Sequence, residues 1–412
     1  TRRKMLAIDF GARSIKAVKL SRSGNGYHLD NFGIVMSPPD SIMHGEIKDV
    51  DAVSAALHRM LSKKRIYDRN AIIAITGQKV IVREITTPLM SEKELAEGIR
   101  WEAPKYVPFD LQESLLDAKK IEELEEKEGA KMMRVLLVAA PRNLVEQQIS
   151  ILKNLKIQPK AVDIAANAQI RAFESYLTPA SANSEDGTII DIILSLGAST
   201  TEITLLEGER LKFTRTILKG GMDIARLIEK DLNVSFQEAE SLIQQVGIRL
   251  PEELRISEDG DSEKETAMET EMEADMEAGM EMADIVSATA QKEEQIGNQS
   301  EKDNKAEAIR NEAEVADLVN RGISDIFNEV RKSLNYFKTQ YQKVNYKSII
   351  LCGGMTQLPN LGQMLKRQFG ITVVIANPLK NITVDEREVN INNLNNYKSA
   401  LATAIGLAKR ER

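Results

Sequence analysis

Apolar positions alternate with polar ones in some stretches of the chain and recur every three to four residues in others, which divides it into elements. Residues 5–10 are apolar-rich, Gly11 interrupts them, and alternation resumes from Ile15 to Leu20. That pattern predicts a β-hairpin turning over 11–14. A further strand is predicted over 27–36. Val53, Ala56, Leu57, Met60 and Leu61 fall at helical spacing and predict a helix over 50–63. Strands over 71–76 and 79–86 flank Gly77. Ser91 with Glu94 three residues on is a capping-box pattern, opening a helix over 91–103. Pro104 and Pro108 follow, then a strand over 114–121, an acidic turn over 122–129, a strand over 132–140 and a helix over 142–156. Residues 91–156 thus read as a small inserted α–β–β–α unit. The spacing then predicts one helix over 162–177.

The second half repeats the opening. Strands are predicted over 188–196, 201–206 and 211–217, helices over 222–232 and 235–245. After a polar stretch come a long helix (315–341), a buried strand (348–352) ending at Gly353 and Gly354, a helix (358–369), a strand (372–376) and a final helix (397–409).

Composition changes the picture in one place. The chain has 412 residues, 42% hydrophobic and 28% charged, enough for two or more cores. Its net charge of −7 is uneven: between Glu252 and Asp284 fourteen acidic residues face only Arg255 and Lys264. That block carries −12, so the rest carries +5. Residues 254–313 are aromatic-poor and rich in Glu, Asp, Met and Ser, a disorder-like composition. Met268, Met272, Met276 and Met280 recur beside Glu269, Glu273, Glu277 and Glu281. On a helix they would form adjacent stripes, either a solvated linker or an adaptable binding face. Removing this insertion is expected to leave folding intact.

Several chemistries are excluded. A single cysteine, Cys352, allows no internal disulfide and no Cys-based zinc site. His28, His44 and His58 show no ligand spacing. No run approaches the roughly 18 apolar residues that span a bilayer, and residues 1–5 do not open a signal peptide. A cytoplasmic protein without nucleic acid as its main partner is expected.

The strongest internal feature is a repeat. Ile8-Asp9-Phe10-Gly11-Ala12-Arg13-Ser14 aligns with Leu194-Ser195-Leu196-Gly197-Ala198-Ser199-Thr200 at an offset of 186 residues. Each is an apolar strand, Gly-Ala, a variable residue and a hydroxyl residue, then a second strand. Such turns present N–H groups and a hydroxyl to an anion. Two of them across a cleft, with Gly353 and Gly354 ending a third strand, point to a phosphate chain.

These residues resemble the actin-like ATPase superfamily of actin, the sugar kinases and FtsA. Residues 8–16 are similar to its first phosphate motif, 194–201 to its second and 349–359 to its adenosine motif. Within it, Trp101–Asp110, Ala376-Asn377-Pro378 and residues 400–408 resemble the PilM family of type IV pilus assembly proteins. The resemblance implies an α/β, actin-like (ribonuclease H-like) two-lobe fold with a small SHS2-like α+β subdomain. Lobe 1 would take 1–90, the subdomain 91–156, and lobe 1 again 157–184. Lobe 2 would take 185–251 and 314–395, interrupted by the insertion 252–313. A C-terminal helix in 396–412 would return to lobe 1.

The resemblance further implies ATP or ADP with Mg²⁺ between the lobes. Asp9 would hold Mg²⁺ through water. Gly11, Ala12, Ser14 and Lys16 would meet the phosphates from one side, and Gly197, Ala198, Ser199 and Thr200 from the other. Gly220 and Gly221 would line the ribose or α-phosphate; Gly353, Gly354, Met355 and Glu240 would serve the adenosine. For Lys16 an outward strand position is the alternative. Three departures stand out: Ser195 where the superfamily has Asp, Ile164 and Ala165 where a water-positioning group sits, and Ile243 where a lysine partners Glu240. Nucleotide binding with slow or absent hydrolysis is therefore expected.

In that family a groove between lobe 1 and the inserted unit accepts the cytoplasmic N-terminal tail of the inner-membrane protein PilN. The implied role is a cytoplasmic scaffold, peripheral to the membrane through that partner, contacting other pilus-machine subunits and copies of itself in a ring. Trp101, Tyr106, Val107 and Phe109 either fill the inserted unit's core or line a peptide pocket. The rival readings are an FtsA-like filament-forming protein and an active ATPase or kinase of the same fold.

Overall fold

The computed structural model describes residues 4–24, 26–127, 130–180, 187–250, 290–341, 343–385 and 389–410. Its strands are β1 (Lys4–Phe10), β2 (Ser14–Ser23), β3 (Gly26–Met36), β4 (Ile42–Met43), β5 (Glu46–Ile47), β6 (Asn70–Ile75), β7 (Ile81–Pro88), β8 (Ser114–Lys127), β9 (Ala130–Pro141), β10 (Gln158–Ile164), β11 (Thr188–Leu196), β12 (Thr201–Glu207), β13 (Arg210–Ile217), β14 (Val344–Cys352), β15 (Thr372–Ile375) and β16 (Ile382–Val384). The helices are α1 (Val50–Lys63), α2 (Glu92–Glu102), α3 (Arg142–Asn154), α4 (Ala165–Phe173), α5 (Gly221–Leu232), α6 (Phe236–Val246), α7 (Ala290–Gln340), α8 (Leu361–Phe369), α9 (Ile391–Tyr397) and α10 (Ala402–Ala408).

The sequence repeat is a repeat of topology. One sheet runs β10-β6-β1-β2-β3-β16 and the other β13-β12-β11-β14-β15. In the first, β1 pairs antiparallel with β2 and parallel with β6, which pairs parallel with β10. In the second, β11 stands in the place of β1, β12 of β2, β14 of β6 and β15 of β10, with the same directions. The register matches too: Phe10 opposes Ile15, and Leu196 opposes Thr201. Each hairpin therefore turns on a Gly-Ala-x-hydroxyl loop.

Helices cover the faces because both sheets bury near-continuous apolar strands. α1 and α3 pack on one face of the six-stranded sheet through Leu57, Leu61, Ile151 and Leu152, and α10 packs on the other through Ala404, Ile405 and Leu407. α5, α6, α7 and α8 enclose one face of the five-stranded sheet around Phe327 and Phe337. Between the sheets, α4 carries Ile170 and Phe173 into a cluster shared with Ile75, Ile193 and Ile350.

A third, smaller sheet, β7-β9-β8, packs on α2 through Leu95, Ile99, Met133 and Val135. α2 starts where expected: Ser91 Oγ accepts from Glu94 N, and the Glu94 carboxylate accepts from Ser91 N at 2.8 Å. The unit is tied to β13 by charge. Arg210 grips Glu84 with two bonds of 3.0 and 2.7 Å, Arg134 bridges Glu84 and Glu122, and Lys212 lies 3.7 Å from Glu84.

The structure differs from the spacing in several places, and it adds β4, β5, β16 and α9. Residues 158–164 are strand β10, and the helix expected over 162–177 begins only at Ala165. Val162 and Ile164 read equally well in either period, and the free edge of β6 claims them. β8 continues to Lys127, through most of the expected acidic turn, because Arg134 on β9 neutralises Glu122 at 2.7 Å. The final helix opens with a 3-10 turn, Lys398–Leu401. α7 starts at Ala290, so the end of the disorder-like segment is helical. The reading of 251–289, methionine stripe included, lies outside the described residues.

Candidate functional site

The two hairpin turns, the end of β14 and the start of α5 converge on one cavity of about 420 Å³. Gly11 N donates to Ser14 O at 3.2 Å and Gly197 N to Thr200 O at 2.9 Å, closing equivalent two-residue loops, Ala12-Arg13 and Ala198-Ser199. The N–H groups of those four loop residues donate to no protein acceptor among the described residues. Both turns therefore offer bare donors to the cavity. Gly353 sits behind them at φ +97°, where a side chain would strike the Leu196 backbone. It must be glycine for the third strand to end this close to the second turn.

The cavity wall brings together Asp9, Gly11, Ala12, Ser14, Lys16, Gly197, Ala198, Ser199, Thr200, Gly221, Glu240, Gly353, Gly354 and Met355. Gly220 is not on it. Its N–H donates to Asp223 at 2.8 Å, and any side chain there would meet the Ala198 carbonyl, so it packs the second turn onto α5.

Charges divide unequally between the halves. Lys16 is 8% exposed, faces inward and pairs with Asp9 at 3.0 Å, so the outward-strand alternative fails. The equivalent pair in the second half is Ser195 and Glu202, opposed across β11 and β12. Glu202 is 9% exposed, and its Oε2 accepts from Gln169 Nε2 at 3.1 Å. Burial pushes its carboxyl up to about 7, against the pull of the Gln169 bond and with help from the nearby negative Asp9. Gln169 Oε1 is buried without a hydrogen-bond partner among the described residues. Cys352, opposite Ser195 on β14, is fully buried and its thiol is pushed up to about 12. It stays a thiol at neutral pH.

The cleft is also bridged by protein. Arg13 Nη2 lies 2.7 Å from Glu240 Oε2 on α6. His44, in the turn joining β4 and β5, donates its N–H to Ser199 Oγ at 3.1 Å, and its Nδ1–H donates to Ser199 O at 2.9 Å. Burial raises the Glu240 carboxyl while Arg13 lowers it.

Sequence reasoning missed Arg13, Gln169 and Glu202. Arg13 was the variable position of the quoted motif. Glu202 stands 186 residues after Lys16 and was within reach had the repeat been extended two residues. Gln169 had no local mark, since only the packing of α4 brings it to the cavity.

The aromatic group of the inserted unit splits. Val107 is 6% exposed and Phe109 packs against the same core, whereas Trp101, at the end of α2, is 84% exposed. Tyr106 is exposed as well.

Among the described residues, no group of three or more His, Cys, Asp or Glu could hold a metal by itself. Mg²⁺ commonly takes one or two carboxylates, substrate phosphates and waters, so Asp9 fits a water-mediated contact and nothing more. None of the described helices is long and apolar enough to cross a membrane.

Two sheets of duplicated order facing across a cleft lined by paired glycine turns define an actin-like ATPase fold. The family model for "Type IV pilus assembly protein PilM" matches residues 7–257 and 296–412, and the chain belongs to that family. A solved structure described as the PilM-PilN type IV pilus biogenesis complex is 22% identical, with a TM-score of 0.73 over 99% of this chain and 98% of that one. Looser likenesses are ethanolamine utilization protein EutJ from Carboxydothermus hydrogenoformans (12% identical, TM-score 0.46, 99% and 90% covered) and MreB5 of Spiroplasma citri bound to ADP (11%, 0.45, 98% and 94%).

Proposed function

We propose that this pilus assembly protein is a nucleotide-operated scaffold: it holds ATP or ADP between its two sheets and offers a groove between its first lobe and the inserted small-sheet unit to the N-terminal tail of a PilN-like membrane protein. The observation that carries the nucleotide half is the pair of hairpin turns facing one cavity with four unpartnered N–H groups. Backbone cradles bind phosphate through N–H dipoles and need no catalytic side chain. Lys16 would meet the phosphates, Asp9 would order Mg²⁺ through water, and Met355 with Gly353 and Gly354 would pack on the adenosine. Mg²⁺ supplies charge neutralisation to the phosphates when bound. Ser195 carries no carboxylate, so turnover is slow or absent.

The organisation that fits is a first lobe on the six-stranded sheet, a second on the five-stranded sheet and the inserted subdomain on the small sheet. Cytoplasmic placement at the inner membrane follows from the partner. Contacts with other pilus subunits and a ring of copies belong to the same reading. For the partner half, the support is Trp101, an aromatic ring left 84% exposed beside the small sheet.

One titration tests both halves: synthetic tail peptides of candidate membrane partners are added by calorimetry with and without Mg·ATP. Nucleotide is expected to bind by itself, to raise the melting temperature, and to change peptide affinity. Trp101→Ala is expected to weaken the peptide about tenfold while leaving nucleotide affinity unchanged. Peptide affinity indifferent to nucleotide removes the coupling, and unaltered peptide affinity in the folded variant removes Trp101 from the groove.

A further inference from the structure

Among the described residues the lining of the cavity contains three carboxyl groups, Asp9, Glu240 and the partly protonated Glu202, and two cations, Lys16 and Arg13. A triphosphate entering such a site brings several more negative charges, so some cation must be free to meet it. Lys16 meets the phosphates with only part of its charge, because it is 8% exposed and pairs with Asp9 at 3.0 Å. Ile243, one helical turn beyond Glu240 on α6, supplies no charge. Arg13 remains. It occupies the tip of the first hairpin, next to the unpartnered N–H of Ala12, and its side chain is 52% exposed. Among the described residues only its Nη2 is engaged, by Glu240 at 2.7 Å. The guanidinium is a planar fork of five N–H donors suited to phosphate oxygens, and one carboxylate contact leaves most of it available.

The equivalent tip residue clarifies the geometry. Ser199 stands 186 positions after Arg13 and is likewise tied across the cleft, by His44. Each hairpin tip thus reaches the opposite half, but only Arg13 does so with a charge that a phosphate can compete for.

We propose that Arg13 is a nucleotide-binding residue of this protein: paired with Glu240 across the cleft, it turns to the phosphate chain when a nucleotide enters and sets how tightly the chain is held. The inference rests on the nucleotide reading above. Glu240 then acts as the competitor for the guanidinium as well as a wall of the cavity, and the two residues oppose each other in binding. A pair that only latched the two halves together would behave differently, because losing either partner would then have the same consequence.

The test is calorimetric titration of the full chain, and of Arg13→Ala, Arg13→Lys and Glu240→Gln, with ATP and with ADP in the presence of Mg²⁺. Arg13→Ala is expected to weaken both nucleotides about tenfold or more, the usual range for a charge-assisted bond, and ATP more than ADP. Arg13→Lys is expected to recover part of that loss. Glu240→Gln, which removes the competitor for the guanidinium, is expected to weaken the nucleotides less than Arg13→Ala does. Arg13→Ala affinities within twofold of the parent overturn the assignment, as does equal weakening by Arg13→Ala and Glu240→Gln. A folded parent chain that binds neither nucleotide removes the nucleotide reading itself, which is a separate outcome from parent binding that ignores Arg13.

Discussion

Glu202 has one hydrogen bond from a protein side chain, Gln169, and 9% of its surface exposed, so its proton is set by burial. In the folded chain the carboxyl titrates near 7, above its ordinary value of 4.5. The folded state keeps a proton that the unfolded state has already lost across that window. Its contribution to stability is therefore fully present below pH 4.5 and is lost as pH rises through about 7. At about 1.4 kcal/mol per pH unit the loss is at most roughly 3 kcal/mol. Glu202→Gln keeps the acceptor for Gln169 and removes the titration. Urea melts at pH 5 and pH 8 are expected to show the variant gaining on its parent by up to that amount at the higher pH. Parallel pH dependences in the two chains would exclude it. Ser91 and Glu94, by contrast, needed only their own neighbours and were legible as a cap from spacing alone.

At the scale of elements, α4 shows how close approach is built. Ala165, Ala166, Ala168 and Ala172 are all buried, and α10 crosses them with Gly406 against the Ala168 backbone. A Cβ on Gly406 would land on the Ala168 carbonyl oxygen, which is backbone and cannot rotate aside. Gly406→Ala is expected to separate the helices and cost about 1–3 kcal/mol, read as a lower urea midpoint with an unchanged slope. A midpoint equal to the parent's would show that α10 yields at no cost. Just before α4, residues 158–164 alternate weakly, and pairing with the edge of β6 makes them strand rather than the start of the helix expected over 162–177. Nothing local distinguishes Val162 in a strand from Val162 in a helix.

Across the whole molecule, the small sheet is bonded to the half that carries the second hairpin. Arg210 on β13 holds Glu84 on β7 with two bonds and Glu122 on β8 at 3.1 Å, in a partly buried cluster. A displacement of the five-stranded sheet would therefore be passed to the small sheet through charged contacts, not through a loop. Among the described residues Arg210→Ala leaves Glu84 with Arg134 and Lys212, and it is expected to lower stability by about 1–3 kcal/mol. Faster amide exchange confined to β7 and β9 would be the accompanying sign. Exchange unchanged there would mean that the cluster does not fasten the unit.

From its sequence alone this protein had its duplicated hairpins, its third strand-terminal glycine pair, its capped α2 and most of its strands and helices. All of these follow from short-range rules: alternation, helical spacing, glycine turns and a Ser-x-x-Glu cap. The tertiary structure decided the rest. It made 158–164 a strand, left Trp101 outside while sending Val107 inside, turned Gly220 away from the cavity, and joined Arg13 to Glu240 across 227 residues of chain. It also raised Glu202 toward neutrality by packing β12 against α4. The physical reason is common to these cases: burial, charge pairing and strand partnership depend on what stands opposite a residue, and in a two-sheet fold the opposite residue is usually far away in sequence.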